Sequence, residues 1–176
     1  MNGTSPSGEQ KKLHQIPKGS RLTEVGSMAF HFEFDPSHGI LRCRLEGDVT
    51  DESLKECYEI ACKYAARTNP GVGIMDFSNV ASFNVSSQTV RDLAYRAPRM
   101  PGSRPRFLVA PSTHVYGLAR MFQQYGSEAR PELQVVRSVD EVYTFLGVRE
   151  PQFEPVGIAP AIRNRQVPIL VIKARA

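Results

Sequence analysis

Three observations predict an α/β domain built on a single mixed β-sheet. Phe30, Phe32 and Phe34 alternate with His31, Glu33 and Asp35, and alternation resumes at Ile40–Leu45 after the turn signal Pro36-Ser37-His38-Gly39. Beyond residue 50, helix-period stripes and short apolar runs take turns, in the order β-β-α-β-α-β-α-β-α. The patterned span, residues 28–149, is 122 residues long, the usual size of one domain.

Each element has a local reason. The opening strands form an antiparallel hairpin because only four residues join them. Leu54, Cys57, Tyr58, Ala61 and Ala65 fall on one helical stripe, which Asn69-Pro70-Gly71 stops. Val72–Met75 is a brief apolar run suited to a buried strand. A second helix, opened by Ser86-Ser87, carries Val90, Leu93, Ala94 and Ala97 until Pro98 ends it. Phe107–Ala110 is the next buried strand. Ser112 caps a third helix bearing Val115, Leu118, Ala119 and Phe122. Leu133–Val136 is the last strand, and Ser138-x-x-Glu141 is a capping box for a final helix closed by Gly147. About four helices therefore flank the sheet.

The flanks read differently. Residues 1–27 are rich in Gly, Ser, Pro and Lys and are expected to be a flexible tail, with Met28 standing just before the first strand. Residues 150–176 are expected to be a Pro-containing tail whose one apolar patch is Ile169–Ile172.

Composition narrows the function. The 22 Lys+Arg against 18 Asp+Glu give +4 and a pI near 9.1, a balance that invites nucleic acid as a partner. Residues 28–149, however, hold 14 basic and 14 acidic side chains, so the excess lies in the two flanks. No helix-turn-helix or RNA-binding signature accompanies it, and nucleic acid is not an expected partner. The longest stretch without a charged residue, Phe77–Val90, is too short and too polar to span a membrane. No signal-like leader and only three cysteines point to the cytoplasm.

Chemistry is sparse. The histidines at 14, 31, 38 and 114 lack metal-ligand spacing, and Cys57 and Cys62 are about 140° apart on a helix. Gly71-Val72-Gly73 is too short for a dinucleotide fingerprint, and no Walker motif occurs. The expectation is a protein that is not an enzyme and has no cofactor or metal. Arg91, Arg96, Arg99, Arg104 and Arg106, opposed only by Asp92, read either as a surface for a small anion or acidic partner or as a solvated face. Open α/β sheets bind ligands beyond the carboxyl ends of their strands. A pocket there would draw on Asp76, Ser78, Ser112, Thr113 and His114 with nearby Pro111, and on Arg120.

The layout, with Asp76-Phe77-Ser78-Asn79-Val80 after a central strand and Ser86-Ser87 opening the next helix, resembles STAS domains, the sulfate-transporter and anti-sigma-factor-antagonist modules. Val109-Ala110-Pro111 and Tyr116-Gly117-Leu118-Ala119-Arg120-Met121-Phe122 look like a bacterial STAS-like or CRAL-TRIO-like group of unassigned function, over residues 28–148. The resemblance places Asn84-Val85-Ser86-Ser87 where anti-sigma-factor antagonists carry Asp-Ser-Ser-Gly. It thus implies a phospho-switch at Ser86 or its neighbour Ser87, although three of the four residues differ. The alternative is that either serine is simply an N-cap. Two functions follow as expectations. One is a regulatory module that binds a protein partner or small anion through the second-helix surface. The other is a carrier or sensor of a small apolar, lipid-like ligand, which a large apolar cavity between sheet and helices would favour.

Overall fold

The computed structural model describes residues 28–158. Its elements are β1 (Ala29–Asp35), β2 (Ile40–Thr50), α1 (Asp51–Thr68), β3 (Val72–Asn84), α2 (Ser87–Ala94), β4 (Arg106–Val109), α3 (Thr113–Tyr125), β5 (Leu133–Val136), α4 (Val139–Leu146) and β6 (Glu154–Ile158). They build one mixed sheet in the order β5-β4-β3-β2-β1-β6. Strands β2 to β5 are parallel, and β1 runs antiparallel between β2 and β6.

Helices α1, α2 and α3 cover one face, over a core that includes Phe30, Phe32, Leu41, Cys43 and Leu45 of the hairpin. On the other face α4 covers a smaller cluster of Ile40, Ile74, Phe107, Val109 and Val142. Apart from Ile40, the hairpin residues of that second face are mostly polar or charged. Arg42 donates to Glu33 Oε1 at 2.7 Å and to the Tyr143 hydroxyl at 2.7 Å, which ties α4 to β2.

Capping follows local chemistry. Thr50 and Ser53 form a reciprocal capping box at the start of α1. Asn69 ends that helix in the left-handed region at φ 47°, a conformation asparagine tolerates well, with its N–H on Ala65 O at 3.0 Å.

Three expected boundaries need correction. The central strand does not stop at Met75: β3 runs thirteen residues, to Asn84. Its pairing with β2 shifts register twice, between Arg44 and Glu46 and between Gly47 and Asp48, and each shift inserts one extra residue in β3. Such bulges break the alternation by which a strand is read. Gly47 supplies the φ of 81° at the second shift. Helix α2 ends at Ala94, three residues before the expected Ala97. Pro98 bars its predecessor from helical angles, and the carbonyls of Ala94 and Arg96 accept instead from the Arg130 guanidinium at 2.7 and 2.6 Å.

The third correction concerns the expected C-terminal tail. Residues 154–158 join the sheet as its edge strand, a place where a proline such as Pro155 is admissible. The Ile169–Ile172 patch and residues 1–27 lie outside the described residues.

Asp35 anchors this added segment. Its buried carboxylate accepts from the N–H groups of Ser37 (2.9 Å) and His38 (3.2 Å), from His38 Nδ1 (2.7 Å) and from Gln152 N (3.1 Å). Burial alone would raise its pKa, but the hydrogen bonds from His38, Gln152 and Ser37 outweigh it and hold the value below the ordinary one. A depressed carboxylate pKa stabilises the fold above the unfolded-state value, and the gain is lost as pH falls through the folded-state value. Asp35→Asn should therefore cost about 1–3 kcal/mol at pH 7. The deficit should shrink in urea titrations carried below about pH 4. A deficit that does not change with pH would contradict the assignment.

Candidate functional site

The core between the sheet and α1–α3 is incompletely filled. Small residues face one another there: Ala61 and Ala65 from α1, Gly73 from β3 and Ala119 from α3. They leave a cavity of about 180 Å³ among Phe32, Cys43, Met75, Phe77, Leu108 and Phe122. A Cβ at Gly73 would lie 3.2 Å from Met100 Sδ, so a larger residue there would have to displace that side chain by a few tenths of an ångström. The space is partly open, and its volume and apolar lining suit a small apolar molecule rather than a long lipid.

One end of the cavity is different in kind. Parallel strands β3 and β4 start there, α2 finishes there, and Arg99, Arg106 and Arg130 line it. Arg130 is only 3% exposed. Besides the two carbonyls that end α2, it reaches the Tyr58 hydroxyl at 2.9 Å and packs 5.1 Å from the Phe122 ring centre. Arg106 Nη2 donates to the carbonyls of Met100 (2.6 Å) and Pro101 (2.7 Å), whereas its Nη1 is buried with no partner. Burial, and then the charge of Arg130, lower the Arg106 pKa.

The cysteines bear on reactivity. Burial, then the neighbouring Cys57, pushes the Cys43 thiol well up, and the two Sγ atoms are 3.6 Å apart. The Cys62 thiol is also raised, first by burial and then by Glu59. Cys43 and Cys62 are thus protonated at neutral pH and present weak donors to the cavity rather than thiolate nucleophiles. Among the described residues no cluster of three His, Cys, Asp or Glu side chains is placed to hold a metal, and no helix is long and apolar enough to cross a membrane.

The residues singled out from sequence do not assemble into one site. Asp76 is buried within β3 and accepts from the N–H of Ser78, which is exposed on the same strand. Neither therefore stands at a strand end. Ser112 caps α3 by accepting from Val115 N at 3.2 Å, while Thr113 and His114 are exposed beside it. Arg120 is exposed and donates to Gln123, one turn along α3, instead of pairing with Asp76. Ser86 caps α2 by accepting from Thr89 N at 3.2 Å, and its own N–H donates to Asp51 Oδ1 at 2.7 Å. Burial raises the Asp51 pKa, but hydrogen bonds from Ser86 and Thr89 lower it further, so a carboxylate already occupies the anion-attracting start of α2. Ser87 is exposed in the first turn.

The arginine run does not form one surface: Arg96 and Arg99 are exposed, whereas Arg91, Arg104 and Arg106 are half-buried. Arg96 pairs with Glu59, and Arg104 donates to Asn69 Oδ1 and Pro70 O, both at 2.7 Å. Arg91 lies 5.2 Å from the Tyr125 ring centre, and Arg99 and Arg106 line the cavity. Sequence reasoning missed Arg130 entirely. The available signal was Gly126, four residues upstream, where a Cβ would come within 3.0 Å of Arg130 Nη1.

No protein-family model matches the sequence, and no curated protein shows significant similarity to it. The chain is similar to solved structures of SpoIIAA-like fold. One is an uncharacterized protein from Shewanella loihica PV-4, with TM-score 0.46 and 11% identity, covering 70% of this chain and 97% of that one. A second is the anti-sigma factor antagonist SpoIIAA in its unphosphorylated form, with TM-score 0.44 and 16% identity over 69% and 100% of the two chains. A third is the Bacillus cell fate determinant SpoIIAA in its phosphorylated form, with TM-score 0.39 and 18% identity over 67% and 99%.

Proposed function

We propose that this domain is a non-catalytic binding module that holds a small apolar molecule between its sheet and helices α1–α3. The observation that carries this reading is the cavity itself: about 180 Å³, lined almost wholly by apolar side chains. An unfilled core of that size costs stability, because its lining atoms lack van der Waals partners. A ligand restores those contacts. Met75 and Met100 line the cavity and Met121 does not, so the methionine methyls report on occupancy.

Titration of [13C-methyl]methionine-labelled protein with toluene should shift Met75 and Met100 saturably at low millimolar concentration or below, leaving Met121 in place. No saturable shift at either cavity methyl would refute the reading. Ala119→Leu, which extends a side chain into the space, should abolish the shifts and raise stability by about 0.5–2 kcal/mol in urea unfolding. A loss above about 1 kcal/mol would mean that the space is overpacked.

A second reading, recognition of a protein partner through α2, has its own observation. Tyr95 is 67% exposed and lies 5.9 Å, ring to ring, from the exposed Tyr125. A photo-reactive phenylalanine at position 95 should then yield one cross-linked species in cells, diminished by Tyr125→Ser. Absence of an adduct would dispose of that reading.

A further inference from the structure

Building on the apolar-ligand reading above, we infer that the molecule this cavity takes is a small monocarboxylic acid, with its hydrocarbon body among α1–α3 and its carboxylate at Arg106. The charge distribution argues for an acid. Arg99, Arg106 and Arg130 sit at one end of an otherwise apolar space. The ion pairs among the described residues involve Arg42, Arg44, Arg96, His31 and His38, and none involves these three arginines. Among the described residues, these three cations line the cavity end without a carboxylate in ion-pair contact. Arg130 directs three of its five N–H donors to Ala94, Arg96 and Tyr58. Arg106 keeps one guanidinium nitrogen buried and unbonded. A buried charged donor without an acceptor is costly, and an incoming anion removes that cost.

The same features choose among anions. The buried, unpartnered nitrogen of Arg106 beside the exposed Arg99 is a donor set of the size a single carboxylate uses, and it suits a monoanion better than a doubly charged phosphate. Inorganic anions would leave the apolar volume empty. A carboxylate on an aromatic ring or a short alkyl chain uses both parts: the guanidinium holds the head, and Ala61, Met75 and Ala119 surround the body. Access is at the arginine end, because Arg99 is exposed there while the other cavity arginines are wholly or partly covered.

The test uses the full chain and four probes: benzoate and hexanoate, with toluene and 1-hexanol as their uncharged counterparts. Binding is read from the Met75 and Met100 methyl shifts at pH 7. Each acid should bind at least about tenfold more tightly than its counterpart, equivalent to about 1.4 kcal/mol. Arg106→Gln should bring the ratio of each acid's affinity to that of its uncharged counterpart close to one, both measured on the same variant, since glutamine retains an amide donor for the Met100 and Pro101 carbonyls. Arg99→Gln, at an exposed position, should reduce the preference without disturbing the fold. Stronger binding of benzoate than of hexanoate would point to an aromatic acid, and the reverse to a short fatty acid. Acids that bind no better than their counterparts, or a preference untouched by both substitutions, would overturn the inference. If toluene binds in that case, the apolar-ligand reading survives alone. If none of the four probes binds, both fall.

Discussion

Replacing Arg130 with methionine is expected to lower stability by about 3–5 kcal/mol. The substitution keeps much of the aliphatic volume and removes only the guanidinium. Its loss strands the carbonyls of Ala94 and Arg96 and the hydroxyl of Tyr58, and each buried group left without its partner costs about 1–3 kcal/mol. Domains have about 5–15 kcal/mol in all, so the effect is a large fraction of the total. Arg130 joins three parts of the fold: the end of α2, the middle of α1 and the approach to β5. Urea unfolding followed by circular dichroism measures the change. A loss below about 1 kcal/mol would show that water replaces the guanidinium at those carbonyls.

Phe32→Ala carries the second large effect, about 3–5 kcal/mol. Phe32 is 1% exposed, stacks on Tyr64 at 4.5 Å between ring centres and meets Phe30 edge-on at 5.8 Å. It also lines the cavity, so its removal enlarges an existing space rather than opening a new one. Loss of stability should therefore coincide with a gain of function. Naphthalene, larger than toluene, should shift the Met75 methyl at lower concentration in the variant than in the parent. A variant that neither loses stability nor binds the larger probe more tightly would mean that neighbouring side chains collapse into the vacated volume.

How much of this was legible in the sequence depends on the physics of each element. Helix α1 was readable because Leu54, Cys57 and Ala65 are buried at helical spacing and a left-handed residue closes it. The hairpin was readable because a period of two survives along both strands. The second half of β3 was not, since its two bulges put exposed Ser78, Asn79 and Ala81 where alternation would alternate burial. Strand β6 was hidden by Pro155 and Gly157, residues that read as breakers yet are admissible at a sheet edge.

The site was harder still. Periodicity shows which side chains face the core, but not whether facing side chains meet. Ala61, Gly73 and Ala119 are far apart in the chain and leave a void only once the sheet and two helices bring them together. Arginine is exposed by default, so the run from Arg91 to Arg106 read as a surface. The Ala94, Arg96, Met100 and Pro101 carbonyls, freed where α2 stops short, draw Arg106 and Arg130 inward. That consequence follows from Pro98 and Gly126 acting together across 28 residues of chain.

A crystal of the protein under xenon pressure tests the central claim most directly, because xenon occupies apolar cavities without needing any particular functional group. The account predicts a xenon site bounded by Ala61, Met75, Leu108 and Ala119. Side chains packed through that volume, with no xenon between the sheet and α1–α3, would contradict it.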